Sequence, residues 1–266
     1  YTVLVTPITD GPVSLNVAAN VATDSAGNGN VIAKQFNIII NPIISLKSSL
    51  NIVSEVGGSN TIITVASTIT AGADIIVNLA YSGSAINGTD YNGVLSITIP
   101  SGQTTASAPL TIIIDNDVED KENIIIDISS ITGGLSNGAI EKDTQQEIIF
   151  ITDDDSAFLT LNSSATNIIE ENGTSILTAT LDKATFEPVT ILLSYSGTAT
   201  SGVDFITPDT SITIPSGEVS RTITLNVIND SEEEIDETII IGITGVNGGK
   251  ANENTTQQQV ITIIND

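Results

Sequence analysis

Acidic side chains cluster at a few places along the chain. Two loops share acidic residues at four matching positions, which are Asp115, Asp117, Glu119 and Glu122 in the first and Asp230, Glu232, Glu234 and Glu237 in the second. Further acids recur in both halves of the chain, namely Glu55, Asp90, Asp153, Asp154 and Asp155, then Glu170, Asp204 and Asp266. Carboxylates that converge repel one another, and a hard divalent cation removes that repulsion. The repeated spacing therefore predicts metal sites.

Calcium is the metal that best suits these residues. Ca²⁺ takes 6–8 oxygen ligands in loose geometry, whereas Mg²⁺ requires tighter octahedral coordination. The chain contains no His and no Cys, which disfavours softer metals. Acidic runs are more often simply solvated surface, and duplication alone would copy them. Because the spacing is repeated with acids at strand ends, we favour Ca²⁺ as the bound ion.

Composition excludes several classes of function. The chain of 266 residues has 32 Asp+Glu against 7 Lys+Arg, a net charge of −25. Such an acid excess argues against nucleic-acid partners and anionic membrane surfaces. Without Cys or His there is no disulfide framework, zinc site or Ser-His or Cys-His catalysis. No long apolar segment predicts membrane insertion, and no signal peptide is evident.

The chain contains an internal repeat. The stretch Tyr81–Tyr91 returns as Tyr195–Phe205, and Ser96–Gly102 returns as Ser211–Gly217, at an offset of 114 or 115 residues. A repeat of this length is one folded module. We expect two domains, residues 42–155 and 156–266.

Short runs with alternating apolar residues predict β-strands throughout. In Arg221–Val227, the apolar residues Ile223, Leu225 and Val227 alternate with polar ones. Similar runs are Ile75–Tyr81, Leu95–Pro100, Leu110–Ile114, Ile124–Ile128 and Glu147–Ile151. No window has a sustained helical period. The pattern predicts an all-β protein of tandem Greek-key, Ig-like β-sandwiches in a linear array.

Residues 1–41 have a different pattern. Three strands are predicted here, Tyr1–Val5, Val13–Val17 and Phe36–Ile40, and the loop between the last two contains Ala22-Thr-Asp-Ser-Ala-Gly-Asn28. Three strands bury too little surface for an independent sandwich. The segment resembles the last strands of bacterial Ig-like repeats, so we interpret it as the C-terminal part of such a domain.

Each repeat resembles a Calx-beta domain, a calcium-binding β-sandwich named from sodium/calcium exchangers and found repeatedly in bacterial surface proteins. The motifs of the first unit are Glu55-Val-Gly-Gly58, Tyr81-Ser-Gly-Ser-Ala85, Gly88-Thr-Asp90-Tyr91, the Ile-Pro-Ser-Gly102 turn, the loop Asp115 to Glu122 and Asp153–Asp155. Those of the second are Glu170-Glu-Asn-Gly173, Tyr195, Gly202-Val-Asp204-Phe205, the loop Asp230 to Glu237 and Asn265-Asp266. Together they cover about 225 residues.

The resemblance implies specific calcium ligands. In the first unit these are Glu55, Asp90, Asp115, the backbone carbonyl of Asp117, Glu119, Glu122, Asp153, Asp154 and Asp155. In the second they are Glu170, Asp204, Asp230, Glu234, Glu237 and Asp266, and the repeated spacing adds Glu232. Asn265 replaces the first terminal acid, which weakens the prediction of a complete second site.

We predict a structural role for this arrangement. Asp153–Asp155 lie directly before the next domain, so calcium bound there would stiffen the joint, in place of the absent disulfides. The predicted function is a calcium-rigidified spacer in a large bacterial cell-surface adhesin, with gliding motility as one setting. Its partners would be calcium ions and neighbouring repeats, and any surface ligand would bind through other domains.

Alternative functions remain open from the sequence. One is a calcium-sensing regulatory module, which requires micromolar affinity and a large shape change. Another is a glycan- or ligand-binding surface domain, which requires aromatic residues in a concave site, yet Trp is absent and Phe and Tyr total nine. An enzyme is disfavoured, because the paired carboxylates that a glycosidase would use are better explained as metal ligands.

Overall fold

The computed structural model describes residues 6–32, 34–134, 138–231 and 233–265. These residues form β-strands, turns and loops, and none of them is helical. The strands are β1 Gly11–Leu15, β2 Phe36–Ile40, β3 Ile43–Ser48, β4 Ile52–Ser54, β5 Asn60–Ser67, β6 Ile75–Gly83, β7 Tyr91–Asn92, β8 Ser96–Ile99, β9 Thr105–Ile112, β10 Glu122–Gly133, β11 Ile140–Glu141, β12 Gln146–Thr152, β13 Ala157–Ser163, β14 Asn167–Ile169, β15 Thr174–Leu181, β16 Val189–Gly197, β17 Phe205–Ile206, β18 Ser211–Ile214, β19 Ser220–Val227, β20 Glu237–Asn247, β21 Ala251–Glu253 and β22 Gln258–Ile264. The all-β prediction is therefore confirmed.

Alternation of side chains explains why these segments form half-buried strands. In β6, Ile75, Val77 and Leu79 are buried, and in β16 the matching residues Val189, Ile191 and Leu193 are buried too. The residues between them face away from the core. β-Branched side chains suit such a pleated, half-buried surface.

The first compact unit contains the described residues up to Ile114, together with Lys121–Thr152. Its two five-stranded sheets have the orders β4-β12-β10-β6-β8 and β11-β3-β5-β9-β7. One cluster of buried apolar residues from both sheets forms the core. This is the predicted sandwich.

The second compact unit contains residues 115–120 and the described residues from Asp153 onward. Its sheets have the orders β14-β22-β20-β16-β18 and β17-β19-β15-β13-β21. Each strand of the first sandwich thus has a counterpart ten strands later, and the sequence repeat corresponds to a repeat of topology. The predicted boundaries at residues 42, 155 and 156 stay predictions.

A two-stranded ribbon, β1 paired with β2, precedes the first sandwich. Gly11–Leu15 begins two residues before the predicted strand Val13–Val17, whereas Phe36–Ile40 has the predicted bounds. The predicted strand Tyr1–Val5 lies outside the described residues. By its contacts the ribbon belongs to the first compact unit. Its assignment to an Ig-like domain stays a prediction.

Candidate metal centres

A tight turn presents Asp204 at one end of the second sandwich. The carboxylate of Asp204 accepts a hydrogen bond from the Thr200 amide at 2.5 Å, and the Asp204 amide donates to the Thr200 carbonyl at 3.0 Å. Asp204 is only 8% exposed. The turn passes through Gly202, whose φ of +83° is a left-handed conformation that glycine adopts without strain. Asp204 is therefore held rigidly, and little water reaches its carboxylate.

The absence of a side chain at Gly197 brings this turn next to β20. A Cβ at Gly197 would lie 2.1 Å from the Thr238 carbonyl oxygen. That carbonyl accepts hydrogen bonds from the amides of Thr198 and Ala199 at 3.0 and 3.1 Å. The chain leaving β16 is thus fixed against the start of β20, where Glu237 is the first residue.

Three carboxylates converge in the second unit. Asp204, Glu234 and Glu237 each offer an oxygen, and these oxygens all lie within 4.8 Å of one another. The pKa of Glu237 is raised to about 7, first by loss of hydration, then by its hydrogen bond to Asp204 and by the negative charges of Asp204 and Glu234. Two carboxyl groups close together cannot both ionise at ordinary cost. This cluster has the electrostatics of a cation site.

Glu170 positions the beginning of the same acidic loop. Its side chain is 5% exposed and accepts a hydrogen bond from the Asp230 amide at 3.1 Å. The Glu170 amide donates to the carbonyl of Ile264, at the end of β22. A buried carboxylate therefore joins the acidic loop to the last strand of the sandwich.

The first unit repeats part of this arrangement. Asp90 is buried in a turn equivalent to that of Asp204, and its carboxylate accepts a hydrogen bond from the Ile86 amide. Oxygens of Asp90 and Glu122 lie within 4.8 Å of each other. Glu55 is also buried, in the turn after β4, where its amide donates to the Thr152 carbonyl at 3.2 Å.

The acidic loop of the first repeat belongs by its contacts to the second unit. Within residues 115–120, the Asp115 carboxylate accepts a hydrogen bond from the Asp117 amide at 2.8 Å, and the Glu119 amide donates to Asp153 at 3.3 Å. Asp154 and Asp155 offer oxygens within 4.8 Å of each other. Predicted ligands from two distant stretches of sequence are thus brought to the same part of this unit.

Sequence reasoning did not anticipate three residues of this region. Lys250 contacts the carboxylate of Asp153 and donates to its carbonyl at 2.9 Å, and Lys183 pairs with Asp155 at 3.2 Å. Val118, the only apolar residue of the loop, is buried in the second core and bridges to Thr185. The scarcity of cations and the isolated valine were the available signals, but neither indicates a partner by itself.

The donor set fits calcium. All the clustered side chains of Asp204, Glu234 and Glu237 are carboxylates, which are hard oxygen donors. They lie in loops and at a strand start, a setting that tolerates the variable geometry of Ca²⁺ better than the strict octahedron of Mg²⁺. Neither His nor Cys is present to favour zinc or copper.

Comparison with known proteins gives a family match over both repeats. The model of the Calx-beta domain family matches residues 40–155 and 152–266, and these ranges together cover the chain from residue 40 onward. The chain belongs to the Calx-beta family. Calx-beta domains are binding and structural modules, and they bind calcium. The predicted resemblance is therefore confirmed for both repeats.

Individual proteins that the chain resembles have low sequence identity to it. The Adhesion G-protein coupled receptor V1 of Danio rerio is 26% identical over 195 residues, which are 68% of this chain and 3% of that protein. The chain thus spans only a small part of this curated relative. The crystal structure of CBD12 from CALX1.2 is 19% identical, with a TM-score of 0.37, and the match covers 77% of this chain and 80% of that one. The Yersinia pseudotuberculosis adhesin InvE is 9% identical, with a TM-score of 0.33, over 83% of this chain and 58% of that one.

The Calx-beta ligand assignment is only partly visible in the described residues. The structure brings Asp204, Glu234 and Glu237 together, and within the first unit it brings Asp90 near Glu122. Glu232 and Asp266 lie outside the described residues. Asp117 and Asp230 lie in exposed loop positions. Ion binding by the whole predicted set stays a prediction.

Proposed function

We propose that this pair of Calx-beta domains is a calcium-rigidified structural spacer in a large bacterial cell-surface adhesin. The observation that carries the proposal is the convergence of Asp204, Glu234 and Glu237, with the pKa of Glu237 raised to about 7. Carboxylates held this close are destabilising when all are ionised, unless a proton or a metal cation is shared between them. Such a site makes the folded state more stable when calcium is present.

The short connection between the repeats supports a mechanical role. Strand β12 ends at Thr152 and β13 begins at Ala157, so only residues 153–156 connect them. Three of these four residues are aspartates. A bound calcium ion supplies positive charge and accepts several oxygen ligands at once. The aspartates and the Glu119 loop would hold it, and the connection would then lose much of its freedom.

Affinity is the property that separates an extracellular spacer from a cytosolic sensor. Extracellular calcium modules bind with Kd values of about 10⁻⁴–10⁻³ M, whereas sensors bind at about 10⁻⁷–10⁻⁵ M.

The described residues contain no helix that is long and apolar enough to cross a membrane. We place the chain on the bacterial surface, and the similarity to a zebrafish adhesion receptor supports an adhesion context. Gliding motility is one setting for such an adhesin.

Calcium titration with and without the central cluster tests the proposal. We expect calcium at about 100 times Kd to raise the free energy of unfolding of the second unit by about 2.7 kcal/mol, and EGTA to reverse the effect. The double variant Asp204→Asn, Glu237→Gln should lose this response. Glu233→Gln removes one charge from an exposed position of the same loop and serves as the control. Calorimetry measures both the binding and the unfolding.

Several results would contradict the spacer role. Absence of calcium uptake at millimolar concentration would remove its physical basis. Micromolar affinity, together with a large calcium-dependent change in small-angle scattering, would favour the regulatory module instead. Binding of a glycan array by the calcium-loaded chain would favour a ligand-binding domain.

A further inference from the structure

The segment that precedes the first sandwich is attached to it by backbone hydrogen bonds and one buried aspartate. Asp10 is 7% exposed, and its amide donates to the Thr70 carbonyl at 3.1 Å. Its carboxylate accepts a hydrogen bond from the Gly72 amide at 2.9 Å. The Thr70 hydroxyl donates to the Ile8 carbonyl at 3.0 Å, and Thr9 forms a parallel bridge with Thr70. These contacts join positions that are about 60 residues apart in sequence, and together we call them the Asp10 clasp.

The second sandwich has a related contact at the equivalent loop. There Thr185, in the loop after β15, forms a parallel bridge with Val118, just as Thr70, in the loop after β5, bridges to Thr9. Both bridges use an extended segment from earlier in the chain. The side chains that anchor the two segments differ. Val118 is an apolar residue in the second core, whereas Asp10 is a carboxylate that accepts a hydrogen bond.

The residues just before each sandwich differ in charge. The four residues before β13 are Asp153, Asp154, Asp155 and Ser156, whereas the four before β3 are Ile39, Ile40, Asn41 and Pro42. Among the described residues, no group of three ligating side chains with oxygens within 4.8 Å of one another includes Asp10. The carboxylate of Asp10 instead accepts a hydrogen bond from the Gly72 amide, 62 residues further along the chain.

We infer that the Asp10 clasp is a metal-independent docking site for the preceding segment, so that the two connections of this chain differ in their response to calcium. The connection into the first sandwich stays ordered without calcium, while that into the second is ordered by it. This inference rests on the proposed function for the contrast between the connections, but not for the clasp itself. A chain of such modules would then contain both permanent and calcium-dependent joints.

Hydrogen exchange on the full chain, in calcium and in EGTA, tests this inference. In the peptide that contains Asp10 and in the separate peptide that contains Gly72, we expect protection against amide exchange to change by less than twofold when calcium is removed. In peptides that cover residues 153–156 we expect exchange at least tenfold faster in EGTA. The Asp10→Ala variant should make amide exchange at Gly72 at least tenfold faster in both buffers. The reason is that the Gly72 amide loses the carboxylate that accepts its hydrogen bond.

Two further variants keep the test interpretable if Asp10→Ala destabilises the whole unit. Asp10→Asn retains a side-chain oxygen that can accept from Gly72, so protection should be close to that of the parent chain. Thr70→Val removes the hydroxyl that donates to Ile8 and should loosen residues 8–10 alone. Asp24→Ala is the control, since the exposed Asp24 carboxylate accepts hydrogen bonds within its own turn, from the amides of Ala26 and Asn28 and from the Asn28 side chain.

The outcomes separate the two hypotheses. If residues 8–10 lose protection in EGTA as strongly as residues 153–156, the clasp depends on metal and the inference is wrong. Unchanged exchange at Gly72 in Asp10→Ala would also overturn it. If residues 153–156 ignore calcium while the clasp behaves as described, the spacer proposal fails and the metal-independent clasp stands.

Discussion

The two acidic loops, residues 115–122 and 230–237, have equal length and share four acidic positions, yet their single apolar residues lie in opposite environments. Val118 is 5% exposed and part of the second hydrophobic core, whereas Ile235 is 84% exposed. Val118 stands three residues after the first acid of its loop and Ile235 stands five after. The acids reflect a shared chemistry, and the apolar residue determines where the loop packs. Shared acidic positions are therefore not evidence of equal packing.

The largest difference is expected between two separate variants, in which either Val118 or Ile235 is replaced by aspartate. Val118→Asp should lower the free energy of unfolding of the second unit by about 2 kcal/mol, because the loop would leave the core rather than bury an unpaired charge, and the buried valine surface would be lost. Ile235→Asp should change it by less than about 0.5 kcal/mol, since the side chain is already in solvent. Thermal unfolding in EGTA measures both variants without the contribution of calcium.

An equal decrease in the free energy of unfolding in the two variants would show that the charge of the loop, and not the burial of Val118, determines stability. Val118→Ile is a useful third variant. It keeps an apolar side chain of greater volume, so it should retain most of the stability and so separate burial from charge.

A second comparison concerns the edge of β13 and the corresponding edge of β3. In the second unit the Gln257 side chain accepts from the Leu161 amide at 2.7 Å and donates to the Leu159 carbonyl at 2.6 Å. In the first unit Gln145 accepts from the Leu46 amide at 3.4 Å and donates to the nearby Lys142 carbonyl. A single glutamine thus satisfies two backbone groups of β13 in one unit and one backbone group of β3 in the other.

Gln257→Ala should therefore cost more than Gln145→Ala. Loss of both hydrogen bonds to β13 predicts a decrease of about 1.5 kcal/mol in the free energy of unfolding of the second unit. Loss of one long bond to β3 and of the local bond to Lys142 predicts a decrease of less than about 1 kcal/mol in the first. Chemical denaturation followed by circular dichroism measures the two losses. Similar values would mean that water replaces the glutamine equally well at both edges.

Much of this fold could be predicted from the sequence, because alternation is strong where a strand is long. The run Ile75–Tyr81 became β6 and Arg221–Val227 became most of β19. Two-residue strands such as β7 and β17 carry no detectable alternation, since their pairing depends on neighbours far along the chain. The predicted end at Ile114 extended two residues beyond β9, where the chain already turns toward the acidic loop.

The candidate site was predictable to a similar extent. A repeated motif at fixed spacing brought Asp204, Glu234 and Glu237 to attention, and topology does place them together. Nothing in the local sequence indicates that Lys250 faces Asp153 or that Val118 enters a core. These contacts depend on which surface meets which loop. Such contacts are tertiary, and local sequence patterns alone do not predict them.

The smallest effect is expected for the two tyrosines that occupy equivalent positions in the sandwiches. Tyr81 donates its hydroxyl hydrogen bond to the Val94 carbonyl at 2.8 Å, and Tyr195 donates to the Asp209 carbonyl at 3.1 Å. The pKa of each is raised to about 12, mainly by loss of hydration, and then by the charge of Tyr91 for Tyr81 and of Asp209 for Tyr195. In the unfolded chain a tyrosine titrates near pH 10.

Between these two pKa values the folded state binds more protons than the unfolded state, so stability decreases as the pH rises from about 10 to about 12. The contribution is complete below pH 10, and neither tyrosine makes stability depend on pH near neutrality. Tyr81→Phe and Tyr195→Phe each remove one titrating group, so each should flatten the alkaline decrease in melting temperature of its own unit only. Tyrosinate absorbance identifies which ring ionises late. If both rings titrate near pH 10 in the folded chain, they are hydrated, and the two sandwiches are less tightly packed around these rings than their hydrogen bonds imply.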